Sequence, residues 1–251
     1  MTGTTGNRKH SFVIIIGNEI LSGRTRDVNL PWLGERLDAL GLPVAEARVI
    51  PDVEQIIINT VNHARANFDY VFTTGGIGPT HDDITAASMA RAFGVGIERN
   101  PEAQQALEAY YPAKDLTDAR LKMADIPVGA RLIENPVSGA PGFQLENVFV
   151  LPGVPKIMQA MFEGITDRLT GGAPVLTRSV ITNLREGQLA RDLEKLQQRF
   201  PDTTIGSYPF FKNRKFGVNV ILRGTDACEL DELEQATISM IKNLAGHILE
   251  P

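Results

Sequence analysis

The stretch from Val71 to Thr85 reads Val-Phe-Thr-Thr-Gly-Gly-Ile-Gly-Pro-Thr-His-Asp-Asp-Ile-Thr, and it constrains the fold more than any other. Tyr70 to Thr74 favour a strand, because branched and aromatic side chains suit a pleated surface. Gly75, Gly76, Gly78 and Pro79 then end it, since no regular element runs through that sequence. Asp82 or Asp83 is placed to cap a helix that carries Ile84, Ala87, Met89 and Ala90 and stops at Gly94. Strand, glycine loop and capped helix aim free backbone N–H groups at one point, an arrangement that binds anions and usually phosphate. Two carboxylates at the end of such a loop repel a phosphate unless a cation lies between them, so the pair points to a metal-assisted site. A plain glycine turn with an ordinary Asp cap is the competing, structural reading.

The preceding segments repeat the pattern. Phe12 to Ile16 is a continuous apolar run ending at Gly17, as expected of a strand buried on both faces of a parallel sheet. Gly17-Asn18-Glu19-Ile20-Leu21-Ser22-Gly23 follows as a loop. Asp27 then starts a helix with Leu30, Leu33, Leu37 and Leu40 on one face, stopped by Gly41, and Asn29 falls on its first turn. Val44 to Ile50 is the next strand, and Asp52 is placed to cap a helix carrying Val53, Ile56, Ile57, Val61 and Ala64. Right-handed crossovers collect such loops at the carboxyl edge of the sheet, where open α/β sheets bind ligands. Glu19, Asp52 and the acidic pair therefore share one edge. Taken singly, Glu19 reads as a solvated loop residue, and Asp27 and Asp52 read as helix caps.

Further along, Pro101 opens a helix over Ala103 to Tyr110, and a shorter one lies near Ala119 to Ala124. Ala130 to Ile133 is a short strand, Asn135 to Phe143 is irregular, and Phe143–Leu145 with Val148–Leu151 reads as a hairpin. Leu151-Pro152-Gly153-Val154-Pro155 is another turn at a strand's carboxyl end. The next helix turns Ile157, Met158, Met161, Phe162, Ile165 and Leu169 inward as core. Thr170 to Pro174 is the expected domain boundary. A β-α-β-β-α unit follows, with strands Val175–Thr182, Thr203–Tyr208 and Phe216–Arg223 and a closing helix from Leu230 to Leu244. Glu186, Tyr208 and Pro209 are its polar and turn candidates, expected to be structural. The organisation is thus a lead-in over residues 1–10 expected to be disordered, an α/β domain over 11–170 and a small α+β domain over 175–251.

Composition narrows the function. A formal net charge of −5 with no offsetting basic face argues against nucleic acid as a partner. Lys212, Arg214 and Lys215 form the one compact basic run, expected on a solvated hairpin. Cys228 is the single cysteine, which excludes an internal disulfide framework and a Cys-rich zinc site and fits a cytoplasmic setting. No apolar stretch reaches the roughly 20 residues that span a bilayer.

Thr73 to Thr85 resembles the signature of the MoaB/MogA-like molybdopterin-binding fold, and its Pro-Thr-x-Asp-Asp form resembles the amino-terminal domain of the competence/damage-inducible protein CinA. Gly17 to Gly23 with Asp27 and Asn29, Pro136 to Phe143, Leu151 to Pro155, and Gly206-Ser207-Tyr208-Pro209 are similar to the same branch. The resemblance implies a three-layer, mostly parallel α/β sheet of MogA-like type followed by a small α+β domain. It implies molybdopterin or a nucleotide at the strand ends, two important aspartates at Asp52 and Asp83, and a homo-oligomer of two or three copies of the chain. Expected ligand-binding positions are Gly17, Glu19, Asn29, Thr74, Gly75, Gly76, Gly78, Pro79, Thr80, Gly142, Pro152 and Gly153. Asp52, Asp82 and Asp83 are the expected ligands of Mg²⁺, Mn²⁺ or Co²⁺. The CinA-type branch, like the related domain of eukaryotic FAD synthase, is associated with metal-dependent hydrolysis of ADP-ribose or similar pyrophosphates. Molybdopterin binding with adenylyl or molybdate transfer is the alternative, and a non-catalytic ligand-binding relative is a third. The chain ends at Pro251, so the deamidase activity of full-length CinA is not carried over.

Overall fold

The computed structural model describes residues 9–212 and 215–250. The chain divides into two compact units, Met1–Gly172 and Ala173–Pro251. Most of the expected lead-in, and the side chains of the basic run Lys212, Arg214 and Lys215, lie outside the described residues.

The first unit is built on β1 (Ser11–Ile16), whose six residues are all buried. It runs parallel to β2 (Val44–Ile50) on one side and to β3 (Tyr70–Thr74) on the other. Beyond β3 lies β8 (Val148–Leu151), also parallel, followed by antiparallel β7 (Gly142–Leu145) and β6 (Arg131–Ile133). The order is β2-β1-β3-β8-β7-β6.

Two-residue periodicity divides β1 between two cores. Phe12, Ile14 and Ile16 enter one with Ile57, Val61, Met89 and Leu107, while Val13 and Ile15 enter the other with Leu33, Leu37, Met158 and Phe162. The first core lies under α3 (Glu54–Asn67), α4 (Thr85–Phe93) and α5 (Pro101–Tyr110). The second lies under α2 (Asn29–Ala39) and α7 (Pro155–Glu163). These are the three layers expected. A short α6 (Asp118–Leu121) and a two-stranded pair, β4 (Ile97–Arg99) with β5 (Asp125–Pro127), complete the unit. That pair was not foreseen, because three-residue strands carry too little periodicity to register.

The second unit has β9 (Leu176–Thr182), α8 (Glu186–Arg199), β10 (Thr204–Lys212), β11 (Lys215–Gly224), α9 (Ala227–Asn243) and β12 (Ile248–Leu249). Its antiparallel sheet runs β10-β11-β9-β12 over a core of Val180, Leu189, Leu193, Val218, Val220, Leu222, Leu230 and Leu233. Only the two-residue β12 falls outside the expected β-α-β-β-α order. Among the described residues, no helix is long and apolar enough to cross a membrane.

Candidate functional site

The carboxyl ends of β1, β2, β3 and β8 open into a cavity of about 560 Å³. It is lined by Gly17, Glu19, Asn29, Asp52, Gly75, Gly76, Gly78, Pro79, Thr80, Asp82, Asp83, Pro152 and Gly153, which the sequence had singled out. Thr74 and Gly142 do not line it. Thr74 is buried within β3, and Gly142 opens β7 facing the Val150 backbone, where a Cβ would come too close to the carbonyl oxygen.

The glycine loop is formed by close approach. Gly75 has φ +105°, and a Cβ there would collide with the Ile16 carbonyl oxygen of β1. Gly76 has φ +68°, and its Cβ would collide with the Thr85 hydroxyl. Both positions therefore require glycine. The Thr85 hydroxyl, fully buried, donates to the Gly75 carbonyl at 3.1 Å and fixes the return of the chain into α4. Gly75 differs from expectation in one respect. Its N–H donates to the Leu151 carbonyl at 3.0 Å, extending the β3–β8 pairing, so it is not free for a ligand. The N–H groups of Gly76, Ile77 and Gly78 find no acceptor among the described residues.

Neither acidic group caps its helix as the sequence reading placed it. The N-cap of α4 is Ile84 and that of α3 is Val53, both without a side-chain cap. Asp83 instead turns back on its own loop, where Oδ2 accepts the Thr80 N–H at 2.8 Å and also the Thr80 hydroxyl. Asp52 Oδ2 accepts the Asn18 N–H at 2.9 Å, which ties the β2 edge to the β1 edge. Asn18 opens α1 (Asn18–Leu21), a single helical turn where a loop was expected. A Cβ placed on Gly76 would lie 3.7 Å from Asp52 Oδ1, and one on Gly78 would lie 2.7 Å from Asp83 Oδ2. Asp52 and Asp83 thus both border the Gly76–Gly78 turn. Asp82 stands apart, its side chain 63% exposed, and His81 is exposed beside it.

Among the described residues, no three His, Cys, Asp or Glu side chains converge as an ion cage. The donor set fits another mode. A hard ion such as Mg²⁺ is commonly held by one or two carboxylates and completed by phosphate oxygens and water. Asp52 and Asp83 supply two carboxylates beside the glycine loop. Five carboxylates (Glu19, Asp27, Asp52, Asp82 and Asp83) line the cavity against one guanidinium, Arg26.

Two cations escaped the sequence reading. Arg26 is an exposed loop residue, and nothing in its neighbourhood along the chain marks it. Lys122 lies roughly 40 residues beyond the loop, yet its Nζ donates to the carbonyls of Thr80 at 3.0 Å and Asp83 at 2.9 Å. Only the fold brings Lys122 to the loop, so local sequence held no signal for it.

A mostly parallel sheet with a glycine loop and carboxylates at its carboxyl edge defines the class: a three-layer α/β protein with a cavity at the strand ends, where such sheets take small-molecule ligands. Comparison with known proteins makes this specific. Residues 12–171 match the family described as a probable molybdopterin binding domain, and residues 174–247 match the middle domain of FAD synthase. The chain belongs to the molybdopterin-binding domain family, in its CinA-type branch. A crystal structure of the protein CinA from Thermoplasma acidophilum, described as of unknown function, is 38% identical. It superposes with a TM-score of 0.61, covering 64% of this chain and 98% of that one. An Aeropyrum pernix protein is 37% identical over 210 residues, 79% of this chain and 78% of its own. A probable FAD synthase of Caenorhabditis elegans is 33% identical over 271 residues, covering 96% of this chain. The present chain spans about half (51%) of that FAD synthase.

Proposed function

We propose that the first unit is a divalent-metal-dependent hydrolase of a nucleotide pyrophosphate, with ADP-ribose or FAD as the substrates to test first. The observation that carries this reading is the excess of five carboxylates over one guanidinium around a phosphate-type loop. Such a cavity repels a pyrophosphate unless a cation enters with it. The similarity to FAD synthase along both units supports a nucleotide as the ligand.

In this reading the N–H groups of Gly76, Ile77 and Gly78 hold phosphate oxygens, and Asp52 and Asp83 hold Mg²⁺, Mn²⁺ or Co²⁺. The ion, when bound, offsets phosphate charge and acidifies water. Asp52 Oδ2 is pinned by Asn18, so Oδ1 is the oxygen left to meet the ion, and the attacking water gives its proton to solvent. Asp83 is held by Thr80 and positions the loop while contributing its other oxygen. Water adds to one phosphorus, the bridging P–O bond breaks, and the leaving phosphate carries the electrons away. ADP-ribose would give AMP and ribose 5-phosphate, and FAD would give AMP and FMN.

The test is AMP release from ADP-ribose and FAD with Mg²⁺, Mn²⁺ or Co²⁺, run beside Asp52→Asn and Asp83→Asn. Metal-dependent release lost in Asp52→Asn supports the reading. No release with any metal sinks it. The family description favours a second reading, molybdopterin binding with adenylyl or molybdate transfer. Tight molybdopterin binding with rescue of a cofactor-deficient strain would select it, while ligand binding with no turnover would leave a binding protein.

A further inference from the structure

We propose that Asn29 reads a hydrogen-bond donor on the ligand, an N–H or O–H of its non-phosphate part, and so gives the cavity a second recognition end. Asn29 opens α2, lines the cavity and is only 4% exposed. Its Nδ2 donates to the Gly153 carbonyl at 2.9 Å. That bond fixes which way the amide points, since the reversed amide would set its oxygen against another oxygen. Oδ1 is then a buried acceptor with no donor among the described residues.

Buried polar atoms are nearly always paired, and an orphan at a ligand cavity marks where a ligand group belongs. A phosphate cannot fill this place, because its ionised oxygens are acceptors facing an acceptor. The missing partner is a donor. Asn135, the other asparagine lining the cavity, offers a contrast. Its Nδ2 donates to Ser138 Oγ and the Ala140 carbonyl, and its Oδ1 accepts the N–H groups of Val137 and Ser138. Asn135 holds its own loop together and has nothing left to offer a ligand, whereas Asn29 has one acceptor open.

The two ends are close. Gly153, which anchors Asn29, lies against Gly75, a Cβ on Gly153 being 3.5 Å from Gly75 Cα. A ligand with phosphate on the glycine loop therefore brings the adjoining part of its organic moiety to Asn29. A ribose hydroxyl and a pterin ring N–H both satisfy this chemistry. The inference rests on the cavity taking a phosphorylated ligand but not on that ligand being hydrolysed.

The test is calorimetry at 4 °C with Mg²⁺, product being followed in the same samples. The probes are inorganic pyrophosphate, ADP-ribose and a pterin phosphate, on the wild-type chain, Asn29→Ala and Asn29→Ser. The expected result is a loss of about tenfold in affinity for a donor-bearing probe, the size of one hydrogen bond, with pyrophosphate changed less than twofold. Selective loss for ADP-ribose identifies a ribose-type donor, and selective loss for the pterin identifies a ring N–H. Equal loss for all probes means that Asn29 only props Gly153, and that overturns the inference, as does no loss at all or no binding of any donor-bearing probe. A second measurement uses the wild-type chain alone. It should prefer at least one donor-bearing probe, ribose 5-phosphate or the pterin phosphate, over pentyl phosphate about tenfold, and equal affinity for all three refutes donor reading even if both variants fail to fold. ADP-ribose that binds selectively through Asn29 yet is never cleaved would sink the hydrolase and leave this inference standing.

Discussion

Gly75→Ala tests whether the site is assembled by contact between the glycine loop and β1. The substitution meets three separate costs. Holding a residue with a Cβ at φ +105° costs about 1–2 kcal/mol. The new Cβ falls on the Ile16 carbonyl oxygen, which is backbone of the central strand and cannot rotate away. Relief requires the loop to move, and movement strains two bonds that hold Gly75, from its N–H to the Leu151 carbonyl and from the Thr85 hydroxyl to its own carbonyl. Each is worth about 1 kcal/mol. The expected loss is therefore about 3–4 kcal/mol, a large part of the 5–15 kcal/mol typical of a domain. Gly23→Ala is the control. Gly23 has φ +71° with nothing within 4 Å of its Cβ position, so it should show the backbone cost alone, about 1 kcal/mol. Urea titration followed by fluorescence of Trp32 reads the first unit specifically, because this is the single tryptophan and it packs edge-on against Phe162 at 5.4 Å. If Gly75→Ala costs no more than Gly23→Ala, the loop does not pack on β1 and the cavity described above is wrongly assembled.

Three further outcomes are expected. Asp52→Asn should lower metal-dependent AMP release by at least about 100-fold while moving the urea midpoint little, since an amide oxygen still accepts from Asn18; retained turnover would remove Asp52 from the chemistry. Lys122→Met should weaken pyrophosphate binding by about fivefold, roughly one hydrogen bond's worth, because the carbonyls of Thr80 and Asp83 lose their shared donor; unchanged affinity by calorimetry would show that the loop holds its shape unaided. Burial, reinforced by Asp202, Asp226 and Glu232, raises the Glu229 carboxyl above its ordinary 4.5. Protonation thus favours the folded second unit below that value, and the benefit disappears as pH rises through the folded pKa. Glu229→Gln should raise the melting temperature at pH 7, with the gain shrinking to nothing below pH 4.5; a gain independent of pH would assign it to something other than ionisation.

The fold was legible where one signal dominated. The unbroken apolar run of β1 and the glycines after β3 specify a buried parallel strand and a loop no other residue could form. The acidic residues were legible as members of one edge but not in their detailed roles. Asp83 and Asp52 both sit two residues before a helix, and local sequence offers them the cap. The fold offers stronger partners, Thr80 within the loop and Asn18 from the neighbouring β–α connection, and those take the carboxylates. Capping is a choice among nearby donors. Sequence shows the donors close along the chain without saying which of them wins, as with Thr80 for Asp83, and it hides those brought in by the sheet, as with Asn18 for Asp52, which is also why Lys122 was missed.

The same competition explains the chemistry of the site. A carboxylate with both oxygens engaged at a helix N-terminus is a structural group, as Asp27 is, whose two oxygens accept the N–H groups of Asn29 and Leu30. Drawing Asp52 off the start of α3 leaves Oδ2 bonded to Asn18 and Oδ1 near the Gly76 turn. The neighbouring helix α4 likewise begins without a side-chain cap, but its first N–H, that of Thr85, is spent on the Gly76 carbonyl, so the N–H groups open to an anion are those of Gly76, Ile77 and Gly78 in the loop. A protein that used its acids to cap these helices would have a more tightly closed edge and no place for a phosphate. Here the N–H groups of the glycine loop are left open and the acids stand beside them, so the edge holds backbone donors and negative side chains within one cavity. Such a cavity accepts an anion and a cation together more readily than either alone. Phosphate affinity should therefore rise with Mg²⁺ in the wild-type chain and lose most of that dependence in Asp52→Asn; an affinity independent of Mg²⁺ in both would refute the argument.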